Sequence, residues 1–293
     1  MTTVSDTLAG CVADGAALTV GLHVKGRRGH ALRTGITWRS GVVVASEQGL
    51  AHHDTEAVLP NGEHRPAILA GRDPGTNVAV FRVDGASAPL PAWAEPQLGA
   101  LVAIVAADGE GGGVARLGMV HQVGPAWASM AGGRIDRLIR LDARLSAAEE
   151  GGPVMGEAGL LGMSTLGPRR RVLVIPNATI DRVVGPLLES GQVPQGWLGL
   201  SLHPVAIPAA LQAQAGRDSG LMVVSLAADG PAEQAGVLPG DIIVAVDGAA
   251  AVNPRVVAQF LAAQAVGQVV TLGLLRGGEA RSVPAAVGAR PQR

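Results

Sequence analysis

Apolar residues in this chain come in short runs, and nearly every run is closed by glycine, proline or a charged residue. Ala17–Val24, Gly35–Ala45, Ala67–Leu69 and Val78–Val83 are of this kind. So are Ala100–Ala106, Ala115–Val123, Asp136–Leu141, Gly159–Ser164 and Val172–Ile175. The 42 glycines fall at the breaks between the runs, which marks a turn-rich β protein rather than a disordered one. Many short strands in succession predict two packed β-barrels or a sandwich.

Two segments depart from this pattern. Residues 4–16 predict a short helix ahead of the first strand. Asn177–Ser190 carries Ile180, Val183, Val184, Leu187 and Leu188 on one helical face, with Asn177 as N-cap and Pro186 as a kink. Pro89–Pro96 reads as an ordered connector between the halves of a first domain. The Gly- and Pro-containing segment after Ser190 reads as a linker. We therefore expect a first domain over 1–190, a linker over 191–195, a second domain over 196–288 and a tail over 289–293.

At 293 residues both domains can bury their own cores. With 2% aromatics and no tyrosine, Val, Leu, Ala and Ile must fill them. No apolar run reaches the ~18–20 residues of a membrane span. The net charge of −1, with Arg169–Arg171 as the one basic run, gives no footing for nucleic-acid binding. Cys11 is the single cysteine, so there is no internal disulfide, and it reads as a small buried apolar residue. The N-terminus lacks a basic region followed by an apolar core, so the sequence-based expectation is a cytoplasmic protein.

The most informative stretch is Leu141–Gly159, LDARLSAAEEGGPVMGEAG. Asp142-Ala143, a six-residue spacer and Gly151-Gly152-Pro153 resemble, without a gap, the nucleophile loop of HtrA/Deg-type, trypsin-like serine proteases. Gly71-Arg72-Asp73-Pro74-Gly75-Thr76-Asn77-Val78-Ala79-Val80 resembles the segment carrying their orienting aspartate. From Trp197 the chain resembles a PDZ domain. The matching motifs are Trp197-Leu198-Gly199-Leu200, Gly230-Pro231-Ala232 with Ala235-Gly236, and Gly240-Asp241-Ile242-Ile243 ending at Asp247-Gly248, followed by a helix opening at Asn253-Pro254.

The resemblance implies a mostly β chain: a chymotrypsin/trypsin-like double β-barrel followed by an α+β PDZ domain. It implies protein or peptide ligands, no cofactor, and a homo-oligomer, the trimer common in the family. Peptide ligands would add as a strand beside Ser201, Leu202 and His203. Trp197, Leu198, Gly199 and Leu200 would take the terminal carboxylate, and Val256, Val257 and Phe260 would line the side-chain pocket. Alternatively, Leu198, Leu200 and Phe260 only fill the core.

A serine protease needs a nucleophilic hydroxyl, a histidine base and a carboxylate that orients it. The resemblance puts Glu150 at the nucleophile position and Asn77 at the orienting position. The base falls on Glu56 or His53, depending on the register. Carboxylates at Glu149 and Glu150 also oppose a developing oxyanion. The expectation is a pseudoprotease: no catalytic residues, not an enzyme, and peptide binding as an adaptor or regulator. Two alternatives stand beside it, a working serine endopeptidase with a non-standard site and a hydrolase using Glu56 and Glu150 as a carboxylate pair. Against the last, the carboxylates are solvated or pair with Arg169–Arg171. His52, His53, Asp54 and Glu56 match no metal-ligand rhythm, so no metal is expected.

Overall fold

The computed structural model of the protein describes residues 3–26, 29–50, 55–262, 264 and 266–290. They form two compact units, one of residues 1–129 with 134–193 and one of 130–133 with 194–293.

The first unit opens with helix α1 (Val4–Leu18), whose start is fixed by a reciprocal capping box between Thr3 and Asp6. Next come β1 (Thr19–Gly26), β2 (Gly29–Arg39), β3 (Val42–Ser46), β4 (Thr55–Val58), β5 (His64–Asp73) and β6 (Val78–Arg82), closed as a barrel in the order β1-β2-β3-β6-β5-β4. The segment Gly35–Ala45, read as one strand, is instead the end of β2, a reversal at Ser40–Gly41 and the start of β3. Gly41 has φ +72°, which glycine adopts without strain.

The second barrel uses β7 (Leu101–Ala107), β8 (Gly113–Gly124), β11 (Leu138–Asp142), β12 (Pro153–Gly156), β13 (Gly159–Leu166) and β14 (Val172–Pro176), ordered β11-β14-β13-β12-β7-β8. A small hairpin of β9 (Trp127–Ala128) and β10 (Arg134–Ile135) interrupts it. Helix α2 (Asn177–Ser190) follows and ends on Gly191 in the left-handed conformation. Asn177 is not its N-cap: the cap position is Pro176, and Asn177 Nδ2 donates to the Leu160 carbonyl at 2.6 Å.

Unbroken apolar runs arise here because barrel strands are covered on both faces. Val43, Ala45, Ala79 and Phe81 fill the first barrel, and Val102, Ile104, Val172 and Val174 fill the second. Their alternating neighbours Val42, Val44, Val78, Val80, Ala103 and Ile175 join a third core with Cys11 and Leu18 of α1 and Ile180, Val183, Val184 and Leu187 of α2. Trp38 is the one fully buried tryptophan among the described residues, consistent with cores built from small and branched side chains.

The second unit contains β15 (Gly196–Trp197), β16 (Leu200–Ala206), helix α3 (Ala209–Ala215), β17 (Ser219–Leu226), helix α4 (Pro231–Gln234), β18 (Ile242–Val246), β19 (Ala249–Ala250), helix α5 (Pro254–Ala262), β20 (Val269–Arg276), β21 (Glu279–Ala286) and β22 (Gly288–Ala289). Strand β16 is the edge of the sheet β16-β17-β18-β20-β21. Ala289 pairs with Gly196, so the segment read as a tail begins inside paired backbone. Asn253 Oδ1 accepts the Val256 amide at 2.8 Å and caps α5.

The Gly240-Asp241 motif has a physical reason. Asp241 is buried, and its carboxylate takes Arg276 Nε at 2.8 Å, Arg276 Nη2 at 2.7 Å and the Leu238 amide at 2.8 Å. Burial alone would raise this carboxyl, but the Arg276 and Leu238 hydrogen bonds outweigh it and hold the carboxyl below its ordinary value. Because the folded value is the lower one, the stabilisation is present above the unfolded value near 4. It is lost as pH falls through the folded value. Asp241→Asn should lower stability in urea denaturation at pH 7, since a neutral amide replaces a buried carboxylate that takes Arg276 and the Leu238 amide. The gap between variant and wild type should narrow as pH falls below the unfolded carboxyl's value and then through the lower folded one. A variant as stable as wild type at pH 7 would refute the role.

Candidate functional site

The stretch 141–159 folds as the end of β11, a turn, the Gly151–Gly152 corner and β12. Gly151 has φ +95°, and a Cβ on it would lie 2.1 Å from the Thr34 carbonyl oxygen of the first barrel. A Cβ on Gly152 would lie 2.0 Å from the Val105 carbonyl oxygen of the second. Only glycine fits between these backbones. The corner is pinned to β13 by Gly151 N donating to Ser164 O at 2.9 Å and Ser164 N donating to Gly152 O at 2.8 Å.

This corner aims Glu150 inward. Its Oε1 accepts Ser46 Oγ at 3.0 Å, Thr165 Oγ1 at 2.7 Å, the Leu166 amide at 3.0 Å and the Gln48 side-chain amide. Asn77 reaches the same two hydroxyls, donating from Nδ2 to Ser46 Oγ at 2.9 Å and to Thr165 Oγ1 at 2.6 Å. Asn77 sits at φ +59°, and its Oδ1 accepts the Gln48 amide at 2.8 Å. Ser46, Gln48 and Asn77 come from the first barrel, while Glu150, Thr165 and Leu166 come from the second. Glu150, Ser46 and Thr165 are all buried. The arrangement is a polar bridge between barrels centred on one carboxylate oxygen. Asp73, in the same motif as Asn77, shapes the local turn by accepting the Gly75 and Thr76 amides and the Thr76 hydroxyl.

Glu149 faces elsewhere, pairing with Arg116 and accepting the Ser146 amide at 2.6 Å. Burial pushes its carboxyl up, but these partners, the Ser146 amide foremost, bring it below the ordinary value. Glu56 lies on β4 opposite His23, and its carboxylate pairs with His64 Nδ1 at 3.2 Å, both side chains more than half exposed. Glu56 and Glu150 share no partner among the described residues, so a carboxylate pair is not assembled. Nor does Glu150 pair with Arg169–Arg171, which lie exposed at a turn with Arg169 and Arg170 left-handed. His52, His53 and Asp54 lie outside the described residues. Among the described residues no cluster of three or more His, Cys, Asp or Glu is placed to hold a metal ion.

In the second unit a cavity of about 200 Å³ opens between β16 and α5. Leu198, Leu200 and Leu202 line one side and Pro254, Val257, Ala258, Leu261 and Ala262 the other, with Gln195, Gly196, Trp197 and Arg290 also at its wall. The helical face turned to the cavity is therefore 254, 257, 258, 261 and 262, an i, i+3, i+4, i+7, i+8 set. Val257 is on it, whereas Val256 is exposed on the adjoining face and Phe260 packs partly into the domain core. Sequence reasoning missed Pro254, Ala258, Leu261 and Ala262 on α5, which continuing the helical period from Val257 identifies, and Gln195, Gly196 and Arg290, which it does not.

The loop ahead of β16 is tied down by its carbonyls. Leu198 O accepts the Ala232 amide and Gly199 O the Ala227 amide, both at 2.9 Å. Gly199 has φ +78° and approaches the Trp197 ring closely enough that a Cβ would sit 3.2 Å from it. Among the described residues neither the Leu198 nor the Gly199 amide has a backbone acceptor. Ser201 and His203 are exposed on the edge strand, and Pro204 is tolerated there because an edge leaves one side unpaired.

Two closed six-stranded barrels followed by a sheet with a helix-flanked open edge define a trypsin-like peptidase fold carrying one PDZ domain. Comparison with known families agrees: residues 33–162 match the trypsin-like peptidase domain and residues 197–287 match the PDZ domain. The chain thus carries a trypsin-like peptidase domain followed by a PDZ domain. It is 29% identical over 264 residues to a probable periplasmic serine endoprotease, DegP-like, of Brucella suis biovar 1 (strain 1330). That match covers 86% of this chain and 51% of the relative. The similarly named protein of Rhizobium meliloti (strain 1021) is 27% identical over 80% of this chain and 48% of its own length. The chain therefore spans about half the length of these relatives. Among solved structures, "HtrA-type protease AlgW with decapeptide" superposes with a TM-score of 0.71 at 22% identity, covering 97% of this chain and 99% of that one. The serine endoprotease from Yersinia pestis gives a TM-score of 0.71 at 22% identity over 99% of this chain and all of that one. At this identity the superpositions establish the fold.

Two expectations are corrected by these comparisons. Reading Glu150 and Asn77 as a lost triad leads to a protein that is not an enzyme, but the relatives are named as serine endoproteases and point to a protease. Residue types at two positions cannot by themselves exclude catalysis elsewhere on the same scaffold. A cytoplasmic location is likewise overturned, because the same relatives are named as periplasmic. Among the described residues no helix is long and apolar enough to cross a membrane.

The bridge at Glu150 makes a stability prediction. Glu150→Ala leaves buried donors without an acceptor and should cost about 2–3 kcal/mol in urea denaturation. Glu150→Gln keeps an oxygen at the same place and should cost about 1 kcal/mol or less. Equal losses from the two would show that the shared oxygen is not what joins the barrels.

Proposed function

We propose that the protein captures peptides, as C-termini or extended segments, in the groove between β16 and α5 of its PDZ domain. The observation that carries this is the coincidence of three features at one place: an open strand edge, a largely apolar cavity of about 200 Å³, and loop amides that have no backbone acceptor among the described residues. An extended ligand adds to the β16 edge by backbone hydrogen bonds, its carboxylate takes the loop amides, and its last side chain enters the cavity. The description of one structural neighbour as bound "with decapeptide" and of another "with tripeptide" supports a peptide as the ligand class.

The names of the relatives favour a second, linked reading: captured chains are substrates of an endopeptidase in the trypsin-like domain, working in the periplasm. We place Glu150 and Asn77 at the nucleophile and orienting positions, supported by the matching flanks and by the two hydroxyls they share. A carboxylate in that position supplies no acyl-accepting hydroxyl. Serine endopeptidase activity here therefore uses a hydroxyl other than one at position 150.

Both readings have direct tests. Ala258 is exposed on the cavity wall, so Ala258→Trp should fill the groove without disturbing the core. It should weaken peptide binding at least ~10-fold by fluorescence polarisation, the equivalent of about 1.4 kcal/mol, with thermal unfolding unchanged; undiminished binding would place the ligand elsewhere. For the second reading, a fluorophosphonate probe should label the full chain in the presence of a bound peptide. Mass spectrometry should then map the label to a serine or threonine hydroxyl. Absence of both label and casein turnover would rule out a serine endopeptidase.

A further inference from the structure

Arg290 occupies an unusual place for a residue so late in the chain. Strand β22 pairs with β15, setting Ala289 opposite Gly196, and the Arg290 amide donates to the Gln195 carbonyl at 2.9 Å. This brings Arg290 to the start of the loop that runs through Leu198 and Gly199. Among the described residues Arg290 is the only charged one lining the β16–α5 cavity. Its side chain is exposed, and among the described residues no carboxylate pairs with it. The other arginines near the end of the domain differ: Arg276 is held by Asp241 and Arg281 by Glu279.

An apolar cavity with a single cation at its wall selects a ligand that is apolar in its side chain and anionic at its end. We propose that Arg290 is a specificity-determining residue whose guanidinium serves as counter-ion to the free C-terminal carboxylate of a peptide ending in Val, Leu, Ile or Met. The inference rests on the peptide-capture reading above and adds to it the source of the charge. Loop amides alone recognise an oxygen acceptor, and a C-terminal amide also offers one. The guanidinium separates the two, because its attraction needs a net negative charge. Recognition of the chain end is then shared by residues from both ends of the domain, the Trp197–Gly199 loop and Arg290.

The test uses the full chain and fluorescein-labelled ten-residue peptides ending in Val, Leu, Ile, Met or Ala, each as free acid and as C-terminal amide. Wild type should bind at least one of the four large apolar acids, and more tightly than its amide. Arg290→Gln should weaken the best acid about fivefold, leave its amide unchanged and flatten the dependence on salt between low and moderate ionic strength. Arg290→Lys should recover part of the preference. Arg281→Gln, on β21 outside the cavity, should behave as wild type. If Arg290→Gln binds the acid like wild type, the assignment of Arg290 is wrong while peptide capture stands. Tightest binding of the Ala peptide would contradict the stated side-chain selectivity. If wild type binds none of the peptides, the capture reading falls and this inference falls with it.

Discussion

One carboxylate oxygen holds together the part of the molecule where a trypsin-like site is sought. Glu150 Oε1 draws hydroxyl and amide donors from both barrels. It sits where it does because Gly151 and Gly152 let the chain pass between the Thr34 and Val105 carbonyls. A side chain at either glycine would drive the backbones apart, and the core shared by Val42, Val44, Val78, Val80 and Ile175 would open with them. Burying a carboxylate is costly unless its oxygens are satisfied, so the four donors are a condition for Glu150 to be there at all.

The two units answer this burial problem in different ways. In the barrels Glu150 relies on neutral donors, two hydroxyls and two amides. In the PDZ domain Asp241 takes a bidentate arginine and a backbone amide, the stronger charge-assisted arrangement. The groove at β16 follows from the second arrangement. Asp241 braces the turn before β18, which pairs with β17, and β17 in turn presents β16 as an open edge. The apolar wall on α5 and the strand edge are thus held by a framework that needs no ligand to form.

Much of this could be read in the sequence. The apolar runs marked the strands, the helical face of 177–190 marked α2, and the glycine-rich motifs marked both folds. Gly151-Gly152 and Gly240-Asp241 were legible because their backbone demands admit few residue types. What was missed was the reversal at Ser40–Gly41, although Arg39-Ser40-Gly41 breaks the apolar run there and the first two are exposed. The partners of Glu150 were hidden. Ser46, Gln48 and Thr165 are ordinary residues in sequence, and the first two reach Glu150 across more than 100 positions. Substituted positions spoke about residue type and led to the wrong expectation about enzyme class. Location was misjudged because the first residues of this sequence carried the inference, and the relatives' names contradict it.

In the proposed mode of capture an extended peptide pairs with β16 while its end is gripped by the loop before it. Amide hydrogen–deuterium exchange of the full chain, with and without saturating C-terminal peptide, reads this directly. Peptide capture at this edge predicts slowed exchange at the Leu198 and Gly199 amides and along the unpaired side of 200–206, with β20 and β21 unchanged. Protection confined to other strands, with 198–206 exchanging as in the free protein, would contradict it.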